Sequence, residues 1–171
     1  MTESEQHSGK EDSGSSRMSR FGFRKPRIFP PFWLLLCALA LFALDRWLPL
    51  VQLYPSLPRT WNWLLLAPGL VLIIIAMGGF IKAKTGAVPF SKSTVLVTGG
   101  IYRFTRNPMY LGMALVLAGA AIRLGSLSAW LPVVFFVFII QRQFVRNEEI
   151  FLSAIYGDEF HQYCRKVRPW L

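Results

Sequence analysis

The chain has 171 residues, of which 53% are hydrophobic, and a formal net charge of +10; its mean hydropathy is +0.40. That length fits one domain, and the apolar residues form long unbroken blocks at 28–44, 61–81, 109–122 and 127–140, which excludes a soluble bundle whose helices keep a polar face. The positive charge does not point to nucleic acid, because no basic helix or aromatic-interleaved strand set is present.

The cations sort by segment instead. Lys10, Arg17, Arg20, Arg24, Lys25 and Arg27 precede the first block. Lys82, Lys84, Lys92, Arg103 and Arg106 lie between the second and third. Arg142, Arg146, Arg165, Lys166 and Arg168 follow the fourth. Only Arg46, Arg59 and Arg123 fall in the other two connections. This alternation predicts an all-α integral membrane protein with four transmembrane helices and cytoplasmic N- and C-termini.

Residues 1–27 form a Ser-, Gly- and charge-rich tail. It has too little apolar surface to offset the entropy of ordering, so disorder is expected. No small-residue cleavage site marks it as a signal peptide. Its last eight residues are basic and aromatic and suit anionic headgroups. The membrane domain is then 28–171. Its first helix is expected to start at Pro30-Pro31, where proline is tolerated, and to end near Asp45-Arg46. An irregular connection with three prolines and two tryptophans follows to residue 61. The second block carries no charge and is long enough for a ~30 Å hydrocarbon layer. Gly78-Gly79 near its end would admit another backbone.

Residues 82–107 form a polar connection too long to be a plain linker, and a functional loop is expected. The third block, 109–122, covers only ~21 Å at 1.5 Å per residue. It turns tightly at "RLGS", 123–126, into the fourth block, which can extend to Val145. Crossing is favoured over a re-entrant hairpin, whose tip would leave Arg123 in hydrocarbon. Beyond Arg146, apolar residues recur at helical spacing on both sides of Gly157-Asp158. They predict two short amphipathic helices on the cytoplasmic face, completing a cytoplasm-facing pocket.

Cys37 lies inside the first block and Cys164 in the tail, so no disulfide is expected. No metal is expected either, since ligand spacing is absent; His161 and Cys164 read as an ordinary surface pair. The short third-to-fourth link makes those helices neighbours, which should bring Arg106-Asn107 to Glu148-Glu149. Arg146, three residues before Glu149, is spaced to pair with it. Asn107 before Pro108 reads as an N-cap. Capping does not account for Gly99-Gly100, Tyr102, Tyr110 and Gly112. Glycines let a backbone approach a ligand, helix-start amides can hold a carboxylate, and tyrosines offer faces to a ring or a cation. Those residues outline a pocket for a zwitterion carrying a flat ring and a positive centre. No dinucleotide fingerprint, phosphate loop, Ser-His-Asp set or zinc set is present.

The stretch "LVTGGIYRFTRNPMYLG" with "RNEEIFLSAIYGDEFHQYCRKVRPWL" resembles the isoprenylcysteine carboxyl methyltransferase family, whose pattern the phospholipid N-methyltransferases share. The shared pattern is G-x-Y-(x)3-R-(H/N)-P-x-Y-x-G, then E-E, then (F/Y)-G-x-x-(F/Y)-x-x-Y, over residues 82–171. The resemblance implies a multi-pass membrane enzyme using S-adenosylmethionine in a cytoplasm-facing pocket. Carried over, it implies cofactor contacts at Val97, Gly100, Tyr102, Arg106, Asn107, Pro108, Met109, Tyr110, Gly112 and Glu148. Arg106, Glu148 and Glu149 become the catalytic set. Asn107 stands where eukaryotic members carry histidine, and Phe144, flanked by Arg142 and Arg146, where they carry arginine. Arg142 or Arg146 could hold an anionic acceptor or only a headgroup. The implied acceptor is a lipophilic or small carboxyl, thiol or amine compound. A phospholipid-headgroup N-methyltransferase is the alternative, and a non-catalytic four-helix protein binding a partner or anionic lipid is the alternative of another class.

Overall fold

The structure is a computed structural model and describes residues 29–53, 58–82 and 96–171. The basic tail and much of the polar connection before Arg106 lie outside the described residues. Helix α1 spans Pro30–Trp47 and opens on proline, as its fixed φ favours. A 3-10 turn, Arg59–Asn62, leads into α2, Trp63–Lys82. Helix α3 spans Pro108–Leu124, again with proline first, and stops at Gly125, whose φ of +81° suits a residue without Cβ.

A 3-10 turn, Leu127–Ala129, then starts α4, Trp130–Ile140. No breaker follows it. The chain passes through a π turn, Gln141–Val145, straight into α5, Arg146–Tyr156. Gly157, at φ +52°, ends that run, and α6 covers Asp158–Lys166. The expected first amphipathic surface helix is therefore not a separate element. It is the end of a helical rod from Leu127 to Tyr156, because no glycine or proline stands between Pro132 in the first turn of α4 and Gly157.

Among the described residues, three helices are long and apolar enough to cross a membrane: Pro30–Trp47, Thr60–Gly79 and Leu127–Tyr156. Helix α3, with 17 residues, reaches only ~25 Å, short of the ~30 Å core. Leu39 and Phe42 on α1, Leu64 and Ile74 on α2, and Val134 and Phe138 on α4 are exposed. In a soluble protein such surface would be an anomaly; facing lipid it is not.

Helix α3 is the packing centre, with α2 on one side and α1 and α4 on the other. Cys37 and Leu41 of α1 meet Tyr110, Met113, Leu117 and Ala121 of α3 and Val133, Phe136 and Ile140 of α4 in one buried cluster. The α2–α3 crossing is a backbone contact. A Cβ on Gly69 would lie 2.8 Å from the Gly112 carbonyl oxygen, and one on Gly112 would lie 2.7 Å from that of Gly69. Gly119 sits equally close to Asn62 and Leu66. Among the described residues, no close approach of the expected kind is made at Gly78-Gly79. A Cβ on Gly78 would meet no described residue within 4 Å, and the described residue nearest one on Gly79 is Tyr102, its ring at 3.4 Å.

At the Leu124 end of α3, polar groups fasten the turn. The hydroxyl of Ser126 donates to Asp45 at 2.5 Å and accepts from Ser128 at 3.1 Å. Backbone amides of Leu53 and Leu127 donate to Gly125 and Val51, at 2.8 and 2.9 Å. Both serines are fully buried. Ser126→Ala leaves Asp45 without that donor, so unfolding in detergent is expected about 1–3 kcal/mol easier. Ligand binding at the opposite end of α3 should not change.

Candidate active site

The segment leading into α3 is held from several sides. Gly100 takes φ +62° and begins a 3-10 turn, Gly100–Arg103, that buries Tyr102. Thr105 is 1% exposed. Asn107 is pushed to φ −127° by the proline after it. Its carbonyl accepts the first intrahelical bond, from Leu111 at 3.0 Å. The expected side-chain cap is not made. The Asn107 amide nitrogen donates instead to the carbonyl of Pro169 at 2.9 Å.

Arg106 and Glu149 come together as their motifs suggest. One guanidinium nitrogen of Arg106 lies 3.0 Å from the Glu149 carboxylate, with the side chains 13% and 33% exposed. The other terminal nitrogen donates to the Cys164 thiol. Glu149 thus takes its cation from across the hairpin mouth and not from Arg146 one turn earlier, whose side chain is exposed. The Tyr110 hydroxyl donates to Glu148 at 3.2 Å, and its ring packs on Phe144 at 6.2 Å between centroids.

The π turn explains how Glu148 reaches Tyr110. Phe136, Ile140 and Phe144 are buried at every fourth position, and Glu148 is next in that series. In an α-helix each such step drifts by ~40° around the axis. A wider π turn takes up that drift, so the fourth member still faces α3. Asn147 helps hold the turn, its amide donating to the Gln143 carbonyl at 2.8 Å.

The C-terminal residues form a strap over the α3 entrance. The Arg168 carbonyl accepts the Arg106 amide at 3.0 Å, and that of Pro169 also accepts the Thr105 hydroxyl at 3.2 Å. The Trp170 indole donates to Gln141 at 2.7 Å. Tyr163 on α6 donates to the Tyr102 carbonyl at 2.6 Å. Burial pushes the Tyr163 phenol up to about 12, against the pull of Arg106, and raises that of Tyr102 further. Burial also raises the Cys164 thiol, Arg106 opposing it. All three groups therefore keep their protons at neutral pH and act as hydrogen-bonding groups.

The other expected site residues divide. Val97 and Met109 are half-buried beside this cluster's chain segment, and Pro108 is buried. Gly112 lies at the crossing with Gly69, where a side chain would find no room. Arg142 stacks over the exposed Phe138 ring at 5.2 Å. Among the described residues, neither Arg142 nor Arg146 joins the Arg106–Glu149 pair. Thr105, Gln141, Pro169 and Trp170 were not anticipated. For Pro169 and Trp170 the cue is the closing "RPWL", where a proline and a tryptophan follow a basic helix.

A family profile described as phospholipid methyltransferase matches residues 59–159. An uncharacterised protein of Haemophilus influenzae is 40% identical over 63 residues, 37% of this chain and the whole of that one. The protein-S-isoprenylcysteine O-methyltransferase of Schizosaccharomyces pombe is 35% identical over 79 residues, 45% of this chain but only 33% of that protein's length. A probable protein-S-isoprenylcysteine O-methyltransferase of Oryza sativa is 29% identical over 145 residues, 76% of this chain and 72% of the rice protein. No solved structure matches the chain.

Proposed function

The chain belongs to the phospholipid methyltransferase family, and from that membership we propose that it moves the methyl group of S-adenosylmethionine to a lipophilic or small carboxyl, thiol or amine acceptor at a membrane surface. One observation carries the reading. Two segments some forty residues apart converge through Arg106–Glu149 at 3.0 Å and Tyr110–Glu148 at 3.2 Å, beside the start of α3.

The residues present fit that donor. The first turn of α3 has no side-chain cap, which suits a carboxylate. Glu148 and Glu149 suit an ammonium group or ribose hydroxyls. Among the described residues, the buried Arg106 Nε has no hydrogen-bond partner, and the Glu149 oxygen facing Arg106 has an ionic contact but no aligned hydrogen bond. Buried polar atoms of that kind are rare unless a further partner completes them.

When bound, the donor supplies an activated methyl: the acceptor's lone pair bonds the methyl carbon as the carbon–sulfur bond breaks, leaving a neutral thioether. The chain's own part is to hold the two reactants in line, an orientation effect. For an acceptor that carries a proton, Glu148 is the carboxylate placed to take it, with Tyr110 holding its other oxygen. The cation distribution supports both termini and this site on the cytoplasmic side. In that arrangement α3 is a fourth, short crossing sheltered by its neighbours. Arg142 and Arg146, on the exposed side of the rod, would meet an anionic acceptor or headgroup there.

The family description favours one second reading, methylation of a phospholipid amine. Protein in lipid nanodiscs, given methyl-labelled S-adenosylmethionine, separates the two. The test acceptors are a prenylated cysteine, a small thiol and phosphatidylethanolamine. No transfer to any of them, together with no binding of S-adenosylhomocysteine at millimolar concentration, would remove the enzyme reading. Tyr110→Phe keeps the ring on Phe144 and removes only the hydroxyl. S-adenosylhomocysteine should then bind about tenfold to a hundredfold more weakly by calorimetry, the size of a bond to a charged group.

A further inference from the structure

We propose that Gln141 and Trp170 are positioning residues for the donor site, acting through the strap to hold Asn107 away from the cap position of α3. This rests on the donor reading above and extends it to residues that touch neither Arg106 nor Glu149 through any hydrogen bond described.

Asparagine is among the strongest N-cap residues, and Asn107 stands at the cap, yet it makes no cap bond. Its amide nitrogen is taken by Pro169. A cap would need its side-chain oxygen turned toward the amides of the first turn. The strap fixes the amide group in another orientation, and those amides stay available to a bound carboxylate. The Pro169 carbonyl can do this because it has two lone pairs, one for Asn107 and one for Thr105. Being proline, it offers no N–H to draw the strap elsewhere.

The strap itself is fastened next to these bonds. The Trp170 indole donates to Gln141 at 2.7 Å, and its ring packs on the buried cluster. Gln141 is the first residue of the π turn that carries Phe144 toward Tyr110. The Gln141–Trp170 bond therefore closes a circuit. It runs from the rod through the strap to Asn107, along α3 to Tyr110, and back to the rod at Glu148. Release of that bond frees Pro169, and Asn107 then caps its own helix in the place meant for the ligand.

The test uses the full chain in nanodiscs with Gln141→Leu, Trp170→Phe, the double variant, and Gln141→Glu, which keeps an acceptor oxygen. S-adenosylhomocysteine affinity is read by calorimetry, and release of the strap by hydrogen exchange at the Arg106 amide. Each loss-of-bond variant should speed that exchange and weaken binding about fivefold to tenfold, the worth of one neutral hydrogen bond. The double variant should be no worse than either single one. Gln141→Glu should bind like wild type. In turnover the donor KM should rise while kcat stays within about twofold, a split that general loosening of the fold would not give. Unchanged affinity with the strap released, exchange that does not respond, or additive losses would each overturn the proposal. Wild-type protein that binds no S-adenosylhomocysteine would instead overturn the donor reading on which it stands.

Discussion

Arg106→Ala is expected to weaken S-adenosylhomocysteine binding about thirtyfold to a hundredfold or more and to reduce methyl transfer below detection. The side chain reaches both Glu149 and the Cys164 thiol, and its backbone amide ties the strap. Truncation leaves the amide bond but strands a carboxylate that is only 33% exposed. Breaking a fully buried pair costs about 3–5 kcal/mol, whereas exposed pairs count for under ~1. With Arg106 13% exposed and Glu149 partly open to solvent, about 2–3 kcal/mol is the reasonable middle, and each 1.4 kcal/mol is tenfold in affinity. Arg106→Lys keeps the charge but not the planar fork that meets two partners, so an intermediate loss is expected. Arg106→Ala with Glu149→Ala should fold better than Arg106→Ala alone, because no carboxylate is stranded, while binding stays weak. Calorimetry and thermal unfolding in the same nanodiscs check both statements. Wild-type affinity in Arg106→Ala would remove this cluster from the site.

The parts of this arrangement that were legible are those with a local physical cause. Pro30 and Pro108 mark helix starts because proline needs no N–H partner there, and Gly125 and Gly157 mark stops because each takes positive φ. The meeting of Arg106 with Glu149 followed from a short link between two apolar blocks, which makes their helices neighbours. The rest depends on contacts between distant residues. Spacing along one helix points to Arg146 as the partner of Glu149, yet Arg106, in the segment just ahead of α3, is the cation that reaches it. Asn107 looked like a cap, and only the strap, some sixty residues later in the chain, takes its side chain elsewhere. The π turn has no sequence signature; it is visible only once Phe144 and Glu148 are seen to keep to the face that meets Tyr110.

The glycines show the same division, and they supply the second large effect. Gly78-Gly79 resembles a backbone-contact site by composition, but the contact lies at Gly69, Gly112 and Gly119, where α2 and α3 cross. Lipid offers no hydrophobic force to press two apolar helices together, so close packing of small residues has to do it. Gly112→Leu is therefore expected to prevent α3 from docking on α2. Its Cβ alone would sit 2.7 Å from the Gly69 carbonyl oxygen and 2.8 Å from the Ile73 side chain. The first of these neighbours is backbone and cannot rotate away. Even Gly112→Ala should cost about 1–3 kcal/mol, the usual range for overpacking, and the larger side chain should leave little folded protein in detergent. Tyr110 lies half a turn from this contact on the same helix, so its 3.2 Å bond to Glu148 should be lost with it, and ligand binding too. Gly78→Ala is the matched control. It adds a methyl group where no described residue lies within 4 Å and replaces glycine within a helix, so stability should hold or rise by up to about 1 kcal/mol. Thermal unfolding and S-adenosylhomocysteine binding on the two proteins decide the matter: equal behaviour would mean that the α2–α3 backbone contact does not hold the site together.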